Sequence, residues 1–131
     1  MTGFEWKMFV DVADTLCQSD EESFIRCAIS RYYYAAFGTS RHYLTETMKE
    51  LHFLKGEKIH SRVLKRFEDS LFEEEETIYQ PLSRLKNFRI SADYDKKLRK
   101  HNIELIKKEA LFVLKKLQSL CDNPIYEQDN E

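Results

Sequence analysis

Glycine and proline are scarce, with three and two residues among 131. That leaves little material for the many tight turns of an all-β chain, so helices must supply most of the structure. Cys17, Cys27 and Cys121 are odd in number and show no C-x-x-C spacing. Neither a disulfide framework nor a zinc site is indicated, and Cys17 and Cys27 read as small core side chains among apolar neighbours. The opening residues, Met1 to Trp6, lack a basic stretch followed by a long apolar run, and no apolar run approaches membrane-spanning length. No secretory signal, no membrane partner and a reduced, cytoplasmic setting are expected. Gly-rich phosphate loops, H-E-x-x-H and G-x-S-x-G are missing as well, and no metal or cofactor is expected. His42, His52, His60 and His101 are scattered along the chain. Each reads as a surface or half-buried helical residue rather than a ligand.

The formal net charge of −2 makes no global case for nucleic acid, but the charge is unevenly spread. Residues 1–30 carry two basic and six acidic side chains, whereas residues 84–108 carry nine basic and three acidic ones. The second segment is either a solvated helix face or a face suited to phosphates. Lys96, Lys97, Arg99 and Lys100 form its densest part.

At this length the chain is expected to be one domain over 1–131, with a core at about 4–121 and an acidic tail at 122–131. Phe9, Val12, Ala13 and Leu16 recur at helical spacing within a first helix over Phe4–Leu16. Ser19 and Glu22 read as a capping box opening a second helix from about Asp20 to Met48. Its buried side is expected to hold Phe24, Ile25, Ala28, Ile29, Tyr32, Ala35, Ala36 and Tyr43. Leu51–Glu57 reads as a loop, and Ile59–Leu71 as a third helix with Val63, Leu64 and Phe67 inward. The run Glu73 to Glu76 reads as a solvated connection or a helix start, because adjacent carboxylates repel unless water screens them. Pro81 suits the first turn of, or a kink in, a helix running on to Asp93. Asp95 is placed to cap a last helix whose seam is Ile103, Ile106, Ala110, Val113, Leu117 and Leu120. The expected fold is all-α, an antiparallel bundle of four to five helices.

Two stretches stand out. Ser30-Arg31-Tyr32-Tyr33-Tyr34-Ala35-Ala36-Phe37 sets three tyrosines and two alanines in mid-helix, and Arg89-Ile90-Ser91-Ala92-Asp93-Tyr94 groups an arginine, a carboxylate and a phenol. Successive helical residues are about 100° apart, so the three tyrosines cannot all face inward. Tyr32 best matches the spacing of Ile25, Ile29 and Ala36, leaving Arg31 and Tyr33 for a pocket or interface. Gly38 reads either as close approach by another helix or chain or as a glycine that the helix simply tolerates. Arg89 and Asp93 are four apart and share a helix face. They either brace the bundle as an ion pair or line a pocket in which Arg89 holds a phosphate, Asp93 orients a neighbour and Tyr94 donates a proton.

Ala28 to Phe37, Arg41 and Leu44, His60 with Val63 and Phe67, and Arg89 with Ala92, Asp93 and Tyr94 together resemble the HEPN domain family. The resemblance covers about residues 20–120. It implies a helical bundle that commonly dimerises, and membership of a group rich in metal-independent ribonucleases of toxin–antitoxin and defence systems. Ribonuclease members carry an arginine followed after four to six residues by a histidine, a cation and a base for attack by the 2′-hydroxyl. Here the position after Arg89-x4 is Tyr94, a phenol with a pKa of about 10 against about 6.5 for imidazole.

The resemblance therefore implies an RNA-binding or RNA-acting protein with an atypical or absent ribonuclease site. Its candidate catalytic residues are Arg89, Asp93 and Tyr94, and its candidate RNA-binding residues are Arg31, Tyr33, Lys96, Lys97, Arg99 and Lys100. The alternatives are a metal-independent endoribonuclease toxin using Arg89 on the phosphate, and a non-enzymatic bundle partnering a nucleotidyltransferase-fold antitoxin. A homodimer is expected in either case.

Overall fold

A computed structural model describes residues 5–97 and 102–125. Among them every regular element is helical and there is no strand. The α-helices are α1 (Phe9–Leu16), α2 (Glu22–His42), α3 (Ile59–Glu68), the single turn α4 (Glu73–Glu76), α5 (Tyr79–Tyr94) and α6 (Asn102–Asp122). A 3-10 turn at Trp6–Met8 precedes α1, a π-helical turn at Tyr43–Thr47 extends α2, and a second 3-10 turn lies at Leu51–Phe53. No helix among the described residues is long and apolar enough to cross a membrane.

The central element is α2, which packs against α1, α5 and α6 and also touches α3. Such a helix must be apolar or small nearly all round. Accordingly Ala28, Ile29, Tyr32, Tyr33, Ala35, Ala36, Phe37 and Gly38 are all buried. Its small residues let neighbouring backbones approach, and its aromatic rings fill the wider gaps. The α6 seam is buried as its spacing requires, at Ile106, Ala110, Val113, Leu117 and Leu120, with Ile103 packed at its edge. Val63, Leu64 and Phe67 of α3 and Leu82 and Leu85 of α5 join them, as do Tyr43, Leu44, Phe53 and Ile78, and Ile125 carries the core past its expected end at 121. Truncating one of these large side chains to alanine costs about 2–5 kcal/mol.

Several expectations are corrected. Ser19 does not close a capping box. Its hydroxyl accepts from the N–H of Glu21 at 3.0 Å, while Glu22 turns forward to pair with Arg26 at 3.0 Å. The N-cap position falls to Glu21, whose side chain makes no capping bond. Phe24, Val12 and Cys27 are exposed rather than core. The helix at 59 stops at Glu68, and Leu71 beyond it is 98% exposed. Pro81, by contrast, stands where expected, in the first turn of α5, where its missing N–H removes no helical bond. Asp95 closes α5, its N–H bonding to the Ser91 carbonyl at 2.8 Å, rather than capping α6.

The acidic run holds the largest surprise. Glu75 is fully buried. It accepts from Arg66 at 2.8 Å, from the Tyr43 hydroxyl at 2.5 Å and from the Ser70 hydroxyl at 2.7 Å. Arg66 also grips Glu50 through two bonds of 2.8 and 2.9 Å. Burial raises the carboxyl pKa, but the bonds from Arg66, Tyr43 and Ser70 outweigh it and hold Glu75 below its ordinary value. This network ties the π turn, α3 and α4 together.

Candidate functional site

Gly38 has a local reason. A Cβ built there would lie 2.1 Å from an atom of the Trp6 indole, so the glycine admits the tryptophan against α2. The close approach comes from within this chain. Trp6 in turn lies beneath Arg41, whose guanidinium carbon is 5.6 Å from the ring centre.

That contact belongs to a series along α2. The Arg31 guanidinium lies 4.7 Å from the Phe9 ring centre and 5.4 Å from that of Tyr34. Arg41 also stands 5.9 Å from Phe37. Arg89, reaching over from α5, is 5.4 Å from Tyr33 and 5.8 Å from Tyr34. Aromatic faces attract cations through their quadrupoles, and the planar guanidinium stacks on them while keeping its N–H edge free to bond. Among the described residues neither Arg31 nor Arg41 has a carboxylate partner. Arg31 reaches the Ser30 hydroxyl at 3.3 Å and Arg41 the Leu54 carbonyl at 3.5 Å. Arg89 pairs with Asp93 at 3.3 Å, and its Nε is buried with no hydrogen-bond partner among the described residues.

Tyr33 sits under this layer, not on the surface. It is fully buried, and its hydroxyl lies 2.6 Å from Nδ1 of His60 on α3. Burial pushes the phenol well above its usual range, against the opposing pull of Arg89, so it keeps its proton. The tautomer in which the phenol donates to Nδ1 satisfies both groups and leaves the N–H on Nε2. The imidazole stacks on Phe37 with ring centres 4.1 Å apart. Burial, and then the charges of Arg89, Lys86 and Arg41, hold His60 below its ordinary value.

The residues singled out from the sequence thus separate. Arg89, Asp93 and Arg31 come together: Asp93 and Arg31 line one cleft of about 380 Å³ with Leu16, Arg26, Cys27 and Ser30. Tyr94 is 78% exposed and makes no hydrogen bond among the described residues. Lys96 and Lys97 are exposed beyond the end of α5, while Arg99 and Lys100 lie outside the described residues, as does His101. Two other basic residues of the 84–108 segment serve the bundle. Arg84 clasps Glu109 of α6 at 2.7 Å, and Lys107 meets Asp14 of α1 at 3.1 Å. Lys86 joins the site unannounced, and so do Arg41 and His60, which the sequence offers only as part of the resemblance and not as site residues. Their hydropathy pattern gives no signal, because only the packing of α3 and α5 on α2 brings them together.

A second cleft of about 530 Å³ lies across the molecule's Arg66–Glu75 network, lined among others by Phe53, Arg62, Lys65, Leu71 and Phe72. Among the described residues no three His, Cys, Asp or Glu side chains are grouped as a metal site would need. No family model, curated protein or solved structure matches this chain.

Proposed function

We propose that this chain is a HEPN-like bundle that binds single-stranded RNA on the α2 face carrying Arg31, Arg41 and Arg89. The observation that supports the reading is the placement of three guanidinium groups on aromatic rings, two of them without a carboxylate partner among the described residues. A cation held by a ring keeps its donors for an incoming phosphate, and mixed aromatic and cationic surfaces suit flexible single strands. Ribonuclease chemistry of the Arg-x4-His kind is not part of the proposal. Tyr94 follows Arg89-x4 where that pattern has a histidine, so the segment offers no imidazole there. Lys96 and Lys97, exposed beyond the end of α5, are two further cations open to a phosphate backbone. A second copy of the chain belongs to the reading, with exposed Ile90 and Tyr94 one turn apart on α5 offering apolar surface beside Arg89 and Asp93.

The test is a fluorescence anisotropy titration with a labelled uridine-rich single strand at low salt. The parent should bind, and Arg31→Gln with Arg41→Gln should weaken binding at least about tenfold while circular dichroism stays unchanged. Equal binding by parent and variant would move the RNA elsewhere.

A second reading, a bundle that docks a protein such as a nucleotidyltransferase-fold antitoxin, is favoured by a different observation. Leu71 is almost wholly exposed at the edge of the cleft formed with Phe53 and Phe72.

A further inference from the structure

Cations of two helices share ring neighbours with His60: Arg89 lies 5.4 Å from the Tyr33 ring, whose hydroxyl meets the imidazole, and Arg41 lies 5.9 Å from the Phe37 ring, on which the imidazole stacks. Arg41 on α2, and Lys86 and Arg89 on α5, all act on its imidazole, and Tyr33 and Tyr34 of α2 are its other titratable neighbours. The Lys86 ammonium donates to the hydroxyl of Ser61, the residue after His60, at 3.3 Å. Among the described residues one carboxylate, Asp93, is paired with these cations, and it reaches Arg89 alone. Among the described residues these three cations near one imidazole have a single carboxylate, Asp93, paired with them, an excess of positive charge that an anion would offset.

We propose that Arg41, His60, Lys86 and Arg89 together form a proton-linked binding site for a phosphate-class dianion. The proposal rests on the reading of the α2 face as a phosphate-contacting one, and it names the group within that face that senses occupancy. Burial is the larger cause that lowers the His60 pKa, and an anion among these cations offsets the second cause, their repulsion. The imidazole then takes up a proton, and its two N–H groups donate to the anion from Nε2 and to the Tyr33 oxygen from Nδ1. The Tyr33 hydroxyl turns from donor to acceptor in the same step. The sign follows from linkage: the proton favours the anion and the anion favours the proton, so binding tightens as pH falls through the His60 titration.

Sulfate tests this directly, because it remains a dianion across the whole range in which histidine titrates. The imidazole resonances of the full chain are followed by NMR against pH, in chloride and in sulfate at equal ionic strength, with His60→Gln identifying the His60 signals. In chloride His60 should titrate below its ordinary value. In sulfate its midpoint should rise by about one pH unit, equivalent to sulfate binding about tenfold more tightly to the protonated form. Lys86→Gln should raise the midpoint in chloride and shrink the response to sulfate. Identical titrations in the two salts would overturn the site, as would a sulfate response left whole in Lys86→Gln. If sulfate acts as expected but the RNA strand does not bind, the RNA reading fails and the anion site stands.

Discussion

The Tyr33 hydroxyl meets Nδ1 of His60 at 2.6 Å, joining α2 to α3 beneath the guanidinium of Arg89. A fully buried phenol needs a partner, and a half-buried imidazole held by it is fixed in position and tautomer. The pair is therefore both a brace of the bundle and the floor of its cationic face.

Tyr33→Phe removes the donor and leaves Nδ1 of His60 unpaired. Urea unfolding should show a loss of about 1–2 kcal/mol. A loss below about 0.3 kcal/mol would mean that water or another group satisfies His60 equally well.

Glu75→Ala strips Arg66, Tyr43 and Ser70 of a common acceptor inside the fold. Breaking a buried pair from one side should cost about 3–5 kcal/mol by urea unfolding. The folded-state pKa of Glu75 lies below its ordinary value of 4.5, so its contribution is complete above that pH and is lost as pH falls through the folded value. Glu75→Gln should therefore flatten the decline of the urea midpoint below about pH 4.5 relative to the parent. Parallel declines would assign acid unfolding to other carboxylates.

Gly38→Ala places a methyl group where the Trp6 indole lies. Trp6 is the single tryptophan, so its emission reports the contact. The variant should lose about 1–3 kcal/mol and show emission shifted to the red as the ring leaves α2. An unchanged spectrum with unchanged stability would show that the indole has room to move.

Tyr94→Ala should leave stability within about 0.5 kcal/mol, since the ring is largely exposed. A labelled single-stranded RNA should stay intact near neutral pH in EDTA with parent protein. Rapid cleavage that disappears in Tyr94→Ala would restore the phenol to a catalytic role.

The helical architecture was legible where periodicity alone decides burial. The α6 seam and the Val63, Leu64 and Phe67 stripe follow from spacing, and Tyr32 is buried as its register with Ile25 and Ile29 requires. Tyr33 and Glu75 depart from the pattern for a shared reason. Both sit where a one-faced helix would meet water, but α2 is covered on several sides, and Glu75 meets Arg66 and Tyr43 from distant segments. The Arg89–Asp93 pair was legible because four residues make one helical turn. Its union with His60, Lys86 and Arg41 was not, since it depends on how three helices cross rather than on any local pattern.

The salt dependence of RNA binding tests the central claim most directly. Log affinity of the uridine-rich strand is plotted against log salt for the parent and for Arg31→Gln with Arg41→Gln. Each phosphate contact on a single strand contributes a slope of about −0.7, so the parent should fall steeply and the variant should lose about 1.4 of that slope. Parallel lines of equal slope, or a parent that does not bind at low salt, would contradict the account.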